Sequence, residues 1–325
     1  MKMFTKLALV SSMAISANAM AMQSMDDAAL SAATGQDGIN LGIGISKIEI
    51  EKVLIHDNDG LAAAGTAGTA GFGGTGTAGA IVIKANGTGA TATNGIVISP
   101  NATSLLPSHN LADISIDTDA GVGGANSAFL NVAAQVSGLT INIGEIGVSA
   151  SGTAGTTSIR RGDTASNYNA ILSGLTLKTG VTNANIQLGA APQGAMIMLN
   201  TTMQGGLEIT NLGILDNSTA STAASRPAGE IRIGSIKVAD ANGTDLTVNA
   251  KVSVYGASAT TGNGFLQVIT GSGSSTPKTD IYVQSVKLGS AAAGSIGDIE
   301  VQGMQTYYNV GAGDVAGTRI TISGH

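Results

Sequence analysis

The sequence predicts an all-β fold: an elongated β-solenoid-like or layered β-sheet domain with loops rich in Gly, Ala and Thr. From residue 38 onward, aliphatic residues alternate with polar ones at the period of a strand, and no helical periodicity is present. The composition agrees, because 47 glycines, 3% aromatic residues and 11% charged residues suit a narrow, stacked interior. The third observation is a recurring eight-residue pattern, Φ-x-Φ-x-x-Φ-x-Φ, in which Φ is aliphatic. Its copies are 43–50, 141–148, 207–214, 231–238 and 281–288, with a weaker copy at 294–301.

The doubled x in the middle of the pattern predicts a bend or a bulge between two short strands. The inner pairs are small, polar or charged, as in Gly144-Glu145 and Thr210-Asn211. We expect the Φ residues to form buried scaffold. The copies at 207 and 231 lie 24 residues apart, and the next lies 50 further on, which suits a solenoid rung of about 24 residues. The interval from 141 to 207 fits no such multiple and indicates irregular loops.

The N-terminal residues predict a targeting signal followed by a short helix. Lys2 and Lys6 precede an apolar run and an Ala-Asn-Ala cleavage site, so residues 1–21 are expected to be a cleaved secretory signal peptide. Residues 22–37 are expected to be a short helical segment, with Ser24 as its cap and Gly35 as its stop. Residues 38–325 then form a single β-rich domain, with a low-complexity insert at 61–80.

Charge and residue usage exclude several classes of protein. Removal of the signal leaves 13 basic and 21 acidic residues, a formal charge of −8, which argues against nucleic acid and anionic membranes as partners. No cysteine is present, so burial and strand pairing must hold the fold. No second apolar segment is long enough for a membrane helix, and we expect no transmembrane helix in the mature chain. Nine aromatic residues disfavour an outer-membrane barrel, which needs aromatic girdles.

Candidate ligand motifs have simpler structural explanations. Residues 71–76 match G-x-G-x-x-G, but a strand follows where a dinucleotide site needs a helix. Three acidic segments, at 57–60, 117–119 and 240–245, offer oxygen ligands for calcium, yet Asp, Asn and Gly are also ordinary turn formers and we favour turns. His56, His109 and His325 lack metal-ligand spacing. We therefore expect no catalytic, cofactor or metal residues, and a protein that is not an enzyme.

Two stretches resemble a known family. Residues 25–39 read Met-Asp-Asp-Ala-Ala-Leu-Ser-Ala-Ala-Thr-Gly-Gln-Asp-Gly-Ile and resemble the mature start of FilA-type pilus (fimbria-like) assembly proteins of Gram-negative bacteria. Residues 294–301 and 319–325 are similar to the C-terminal half of that family. The resemblance implies a secreted protein, located from the periplasm to the cell surface. Its partners would be other subunits of a surface filament or its export machinery, with self-association also open.

Two functions are therefore expected from the sequence. The first is a non-enzymatic, exported structural or assembly protein of a surface filament. The alternative is a secreted or surface-attached, adhesin-like binding module.

Overall fold

The computed structural model describes residues 38–62, 72–124, 126–155, 158–220, 227–258, 262–271 and 277–323. The chain divides into two compact units, residues 1–39 and 40–325, and the second is described below. The predicted signal peptide (1–21) and helical segment (22–37) lie outside the described residues, as do His325 and residues 63–71 of the predicted insert. Across the described ranges, no helix has the length and apolar character needed to cross a membrane.

The described part of the chain is all-β, which confirms the predicted fold class. Two short 3-10 turns, Gly89–Thr91 and Asn217–Thr219, are the helical elements of these ranges. The strands are β1 (Ile39–Ile43), β2 (Ile48–Ile50), β3 (Val53–His56), β4 (Gly79–Lys84), β5 (Ile96–Pro100), β6 (Ala112–Asp119), β7 (Phe129–Val136), β8 (Leu139–Ile143), β9 (Glu145–Ser151), β10 (Asp163–Leu172), β11 (Leu175–Lys178), β12 (Thr182–Gly189), β13 (Ile197–Met203), β14 (Leu207–Asp216), β15 (Gly229–Asp240), β16 (Leu246–Tyr255), β17 (Phe265–Thr270), β18 (Thr279–Leu288), β19 (Ser295–Met304), β20 (Tyr307–Asn309), β21 (Asp314–Ala316) and β22 (Thr318–Ile322).

One sheet, here called the amide sheet, contains eight strands in the order β1-β6-β7-β12-β13-β16-β17-β22. Residues paired across antiparallel strands share a face, so the register separates two kinds of side chain. Asn183 of β12 pairs with Gln135 of β7, which pairs with Asp113 of β6. Ile186, three residues along β12 and on the opposite face, pairs with Val132. One face of the sheet is therefore rich in amides and the other is aliphatic.

The second sheet contains twelve strands but is eight strands wide. Four of its rows consist of two short strands placed end to end, namely β2 with β3, β5 with β4, β8 with β9 and β11 with β10. Only Gly144 separates β8 from β9, and Ser173-Gly174 separates β10 from β11. The same edge of β14 pairs with β11 through Thr210 and with β10 through Ile214. The breaks therefore line up across the strands. We call this line the crease, and the twelve strands the creased sheet. The strands β20 and β21 form a separate two-stranded sheet.

The crease coincides with the inner pair of the eight-residue pattern, which confirms the predicted bend. Asn211 and Ser285 have left-handed backbones, with φ of 61° and 58°. The register between β18 and β19 shifts between Val283 and Val286, as expected for a bulge. The residues at the crease are small or polar because a left-handed or crowded backbone tolerates few others.

One copy of the eight-residue pattern was assigned to the wrong residues, and another copy was missed. The copy at 43–50 spans β1 and β2, which belong to different sheets. The segment that crosses the crease is 48–55, in which Glu51-Lys52 is the inner pair. A further copy, at 170–177, has Ser173-Gly174 at its center. The two copies that lie 24 residues apart, at 207 and 231, are the two strands of the antiparallel hairpin β14–β15, in which Leu207 pairs with Val238.

Three strand boundaries also differ from the sequence prediction. The polar segment 149–169 predicts a loop by its sequence, but β10 begins at Asp163 within it. Asp117 and Asp119 lie within β6 instead of in a turn. The strand β4 begins at Gly79, inside the predicted insert, and its Ala80 is buried. Polar residues on an outward strand face resemble loop residues when the partner strand is unknown.

The apolar core is thin, and the expectation of fully buried Φ residues is only partly correct. Most Φ side chains are half-buried, but on one side of the crease the Φ residues at the ends of the copies are exposed: Val148 (39%), Ile214 (40%), Ile231 (43%) and Leu288 (52%). Full burial occurs where a second segment covers the sheet. Val82 is 0% exposed, and the ring of Tyr168 lies over Gly147, the strand partner of Val82.

Candidate functional site

The last strand of the creased sheet is an open edge. Among the described residues β19 pairs with β18 alone, and every residue of β19 except Gly303 is exposed. The strand is ten residues long and carries no lysine or proline; its edge-protecting features are Asp298, Glu300 and the bulge between Val283 and Val286. Ile296 is 67% exposed and Ile299 is 54% exposed. A long edge with exposed aliphatic side chains is suited to receive another strand.

The other three edges of the two sheets also expose aliphatic side chains. On β22, the last strand of the amide sheet, Ile320 and Ile322 are exposed. At the opposite edges, Leu41 of β1 and Ile55 of β3 are exposed. The side chain of Lys47, next to β2, lies 2.8 Å from Glu49. Both sheets therefore begin and end with strands whose apolar side chains are only partly covered.

Asp298 fixes the bulge that joins β19 to the sheet. Its carboxylate accepts hydrogen bonds from the backbone N–H of Ser285 at 2.8 Å and from the hydroxyl of Tyr282 at 3.0 Å. The Ser285 N–H, followed by the Tyr282 hydroxyl, lowers the pKa of Asp298, and the same carboxylate raises the pKa of Tyr282. This arrangement orients the edge strand and satisfies the left-handed Ser285.

The amide face of the first sheet contains a hydrogen-bonded ladder. The Asn185 side-chain amide donates to Asn131 and to Gln193, both at 2.8 Å, and Gln187 donates to Asn131 at 3.1 Å. The Gln193 amide also donates to the backbone carbonyl of Ala195 at 2.8 Å. The ladder cross-links β7, β12 and the turn that follows β12, which holds these polar side chains in fixed positions.

An open groove of about 820 Å³ lies beside this ladder, lined mainly by β1, β6, β7, β12 and β13. Asp113 is held there by Asn110, whose amide donates at 2.6 Å, and by the hydroxyl of Ser108. The Ser108 hydroxyl, followed by the Asn110 amide, lowers the pKa of Asp113. Asn183 also lines the groove, and its buried side-chain oxygen has no hydrogen-bond partner among the described residues. The groove thus offers fixed amide donors and acceptors to a polar ligand.

A second cavity, of about 560 Å³, opens at the crease beside Glu145 and Arg232. The Lys84 ammonium lies 3.5 Å from Glu145 and 3.5 Å from the ring center of Tyr168. Burial raises the pKa of Tyr168, and the nearby Glu145 acts in the same direction. Arg232 donates to Ser173 at 2.8 Å and contacts Glu230 at 3.1 Å. Lys84 and Glu145 are thus paired across β4 and β9, and Arg232 and Glu230 are paired along β15, which indicates a structural role.

The acidic segments singled out in the sequence serve local backbone geometry. Asp119 accepts from the N–H of Gly121 at 2.6 Å, and Asp59 donates its N–H to Asp57 at 3.4 Å. Asp240 accepts from the N–H of Thr247 at 2.9 Å. Within the described ranges, no three His, Asp or Glu residues come together as a metal site.

The remaining motifs are dispersed. His56 Nδ1 lies 2.7 Å from the hydroxyl of Ser151, whereas His109 lies in a loop with a φ of 58°. The third histidine, His325, lies outside the described residues. Gly71 of the G-x-G-x-x-G match is also outside them, and the described residues 72–76 lead into strand β4.

Sequence reasoning missed the amide face and did not identify which strands form the edges. The signal for the face was available, because Asn183, Asn185 and Gln187 alternate with aliphatic residues along β12. The edges could not be found, because a copy of the pattern in the middle of a sheet has the same sequence character as one at its margin.

Comparison with known proteins adds one finding. A protein-family model described as a family of unknown function (DUF6160) matches residues 1–105, about a third of the chain. A search of curated proteins and a search of solved structures each gave no match.

Proposed function

We propose that this chain is a non-enzymatic, exported structural or assembly protein of a surface filament or fimbria-like system of a Gram-negative bacterium. The proposal draws its location from the N-terminal signal pattern and its system from the resemblance of residues 25–39 to FilA-type proteins. Its partners would be filament subunits, the export machinery or further copies of the chain. Work of this kind needs surfaces that add strands to strands, and no chemistry at a reaction center.

The observation that carries the proposal is the open edge at β19. Ile296 and Ile299 are more than half exposed on a ten-residue strand that lacks lysine and proline. Backbone hydrogen-bonding groups along such an edge can pair with another chain at little entropic cost, because the strand is already ordered. A strand partner would also cover the exposed side chains.

Microscopy of cells tests the proposal. Negatively stained cells with and without this protein should differ in surface filaments, and filaments should return when the protein is supplied again. Normal filaments in number and length on cells that lack the protein would refute the proposed role. A variant with Ile299→Lys, which places a charge on the edge, should behave like the deletion if the edge is used. Val254→Lys, at an exposed position of the inner strand β16, is the matched control and should leave the filaments unchanged.

A second candidate function rests on the groove of the amide sheet. An adhesin-like binding module needs fixed donors and acceptors. Asn185 and Asp113 are held by neighbours, while the Asn183 oxygen has no partner in the part of the chain that the structure describes. Amides of this kind recognise hydroxyl-rich ligands such as oligosaccharides.

The two functions separate in solution. A binding module stays monomeric and binds glycans, and Asn183→Leu should weaken that binding about two- to ten-fold, the loss expected from one hydrogen bond. Asn249→Leu is the matched control, because the buried side-chain oxygen of Asn249 also has no partner within the described ranges but is not part of the groove lining. Equal affinities of both variants would exclude the groove as the site.

A further inference from the structure

We propose that the partner of the β19 edge is a second copy of this chain, added head to tail, so that β2 and β3 of one copy pair with β19 of the other. The inference rests on the proposed function and deepens it, because it names the partner, the two edges that meet and their register. Three properties of the sheets favour this arrangement: strand direction, pattern register and the exposed side chains of the outermost strands.

Strand direction is compatible with simple repetition. Seven successive antiparallel pairings connect β2 at one edge of the creased sheet to β19 at the other, through β5, β8, β11, β14, β15 and β18. Because seven is odd, β2 and β19 run in opposite directions. A second copy in the same orientation therefore presents its β2 antiparallel to β19, and the sheet continues without a change in pairing type.

The register follows from the copies already paired in the sheet. Neighbouring copies place the first Φ of one opposite the last Φ of the other, as in Leu207 with Val238 and Ile281 with Val301. Applied to segments 48–55 and 294–301, this rule places Ile48 opposite Val301, Ile50 opposite Ile299 and Val53 opposite Ile296. Three aliphatic pairs would form, Ile55 would lie opposite Gly294, and the crease would continue from one copy into the next.

The exposed side chains favour this arrangement over pairing of β19 with itself. Two β19 edges related by a two-fold axis would leave Ile55 and Leu41 of the opposite edges exposed. Head-to-tail addition engages both edges of the creased sheet. The amide sheet also has eight strands, and its outermost strands β1 and β22 expose Leu41, Ile320 and Ile322. A heterologous contact of this kind repeats without closing and produces a fibre.

Charge gives the interface a recognisable salt dependence. The register places Glu49 opposite Glu300, and Glu51 beside Asp298, with Lys52 adjacent. Like charges directly opposite one another oppose pairing. Raising the salt from about 0.1 M to about 1 M shortens the screening length from about 10 Å to about 3 Å, so association should strengthen with salt.

Paired cysteines test the register, since the native chain has none. In the full-length double variant Glu49→Cys, Glu300→Cys, the two thiols lie at opposite edges, roughly 34 Å apart across seven strand spacings. That distance excludes a bond within one molecule, because a disulfide needs Cα atoms within about 7 Å. Mild oxidation should give a ladder of dimers, trimers and longer oligomers on a non-reducing gel.

Three controls define the result. The variant Glu49→Cys, Val301→Cys moves one thiol by a single residue to the other face of β19 and should yield at least about ten-fold less ladder. Each single cysteine should give no ladder. If circular dichroism shows that the first double variant is unfolded, Leu54→Cys, Ser295→Cys tests the same register at another position.

The possible outcomes each decide the proposal. A ladder specific to the in-register pairs supports head-to-tail addition. Absence of a ladder from both folded pairs overturns it, and so does a closed covalent dimer from Ser295→Cys, Glu300→Cys, which indicates two-fold pairing of β19 edges. Filaments that depend on the protein in cells, without an in-register ladder, would leave the proposed function standing and remove this interface. A ladder from the in-register pairs, together with normal filaments on cells that lack the protein, would support this interface and refute the proposed function.

Discussion

Replacement of Gly144 by alanine tests the crease directly. A Cβ at this position would lie 2.2 Å from the carbonyl oxygen of Lys84 and 3.2 Å from that of Gly95. Both neighbours are backbone atoms, so a rotamer change cannot relieve the contact. The chain would have to move by about 1.2 Å to reach the ordinary contact distance of 3.4 Å. Such a shift also stretches the hydrogen bond from the N–H of Gly144 to Gly95, now 2.8 Å.

The expected cost combines two effects. Overpacking of a close backbone contact costs about 1–3 kcal/mol, and loss of one backbone hydrogen bond adds about 1 kcal/mol. The free energy of unfolding of Gly144→Ala should therefore be about 2–4 kcal/mol lower than that of the native protein. Urea unfolding followed by far-ultraviolet circular dichroism measures it as a lower midpoint at an unchanged slope.

Gly155→Ala provides the matched control. A Cβ there has no neighbour within 4 Å, so its effect should stay within about 0.5 kcal/mol. Equal midpoints for Gly144→Ala and Gly155→Ala would refute the close crossing of β8, β9 and the segment from Lys84 to Gly95.

Three further predictions concern the rest of the fold. Val82→Ala removes two buried carbons and should lower the free energy of unfolding by about 2 kcal/mol in urea titrations, whereas a change below about 0.5 kcal/mol would contradict its burial. Asn211→Val places a branched side chain at a φ of 61° and should cost about 1–3 kcal/mol by the same assay, while Asn211→Gly should be tolerated; equal losses would argue against a left-handed crease. Burial raises the pKa of Tyr168, so this phenol should ionise above the ordinary value of about 10 in an absorbance titration, and its contribution to stability is present below that pH and lost as the pH rises through the folded-state pKa. Tyr168→Phe should reduce the late step and leave the part that belongs to Tyr282, and an unchanged titration curve would contradict the assignment.

Much of the fold was predictable because the eight-residue pattern carries local physics. Alternation of Ile231, Ile233, Ile236 and Val238 fixes which face of β15 is apolar, and the doubled polar position fixes the bend. The strand partners were not predictable, because they do not follow from sequence order alone. The strand β14 pairs with β15, the next strand in the sequence, whereas β2 pairs with β5 across an insert. Pairing over such distances depends on loop closure and on the other strands already present.

The candidate surfaces were harder to predict than the fold. Ile299 is exposed because, among the described residues, no strand pairs with the outer side of β19. The residues of β19 themselves carry no signal that the strand lies at the margin of the sheet. The first copy of the pattern was misplaced for a related reason: Ile43, Ile45, Ile48 and Ile50 fit it by spacing, yet the chain changes sheets between β1 and β2. Burial was overestimated at Leu288 because alternation indicates which face is apolar but gives no information about whether another layer covers it.

Hydrogen exchange of the backbone amides of β19 tests the central claim, that this edge receives a strand, most directly. In dilute protein the outward N–H groups of β19 should exchange rapidly, while those of β15, paired on both sides, should be protected. At concentrations and salt that promote association, protection should appear on β19 and on β2–β3 and leave β15 unchanged. Association without new protection on β19, or β19 amides already protected in the monomer, would contradict the account.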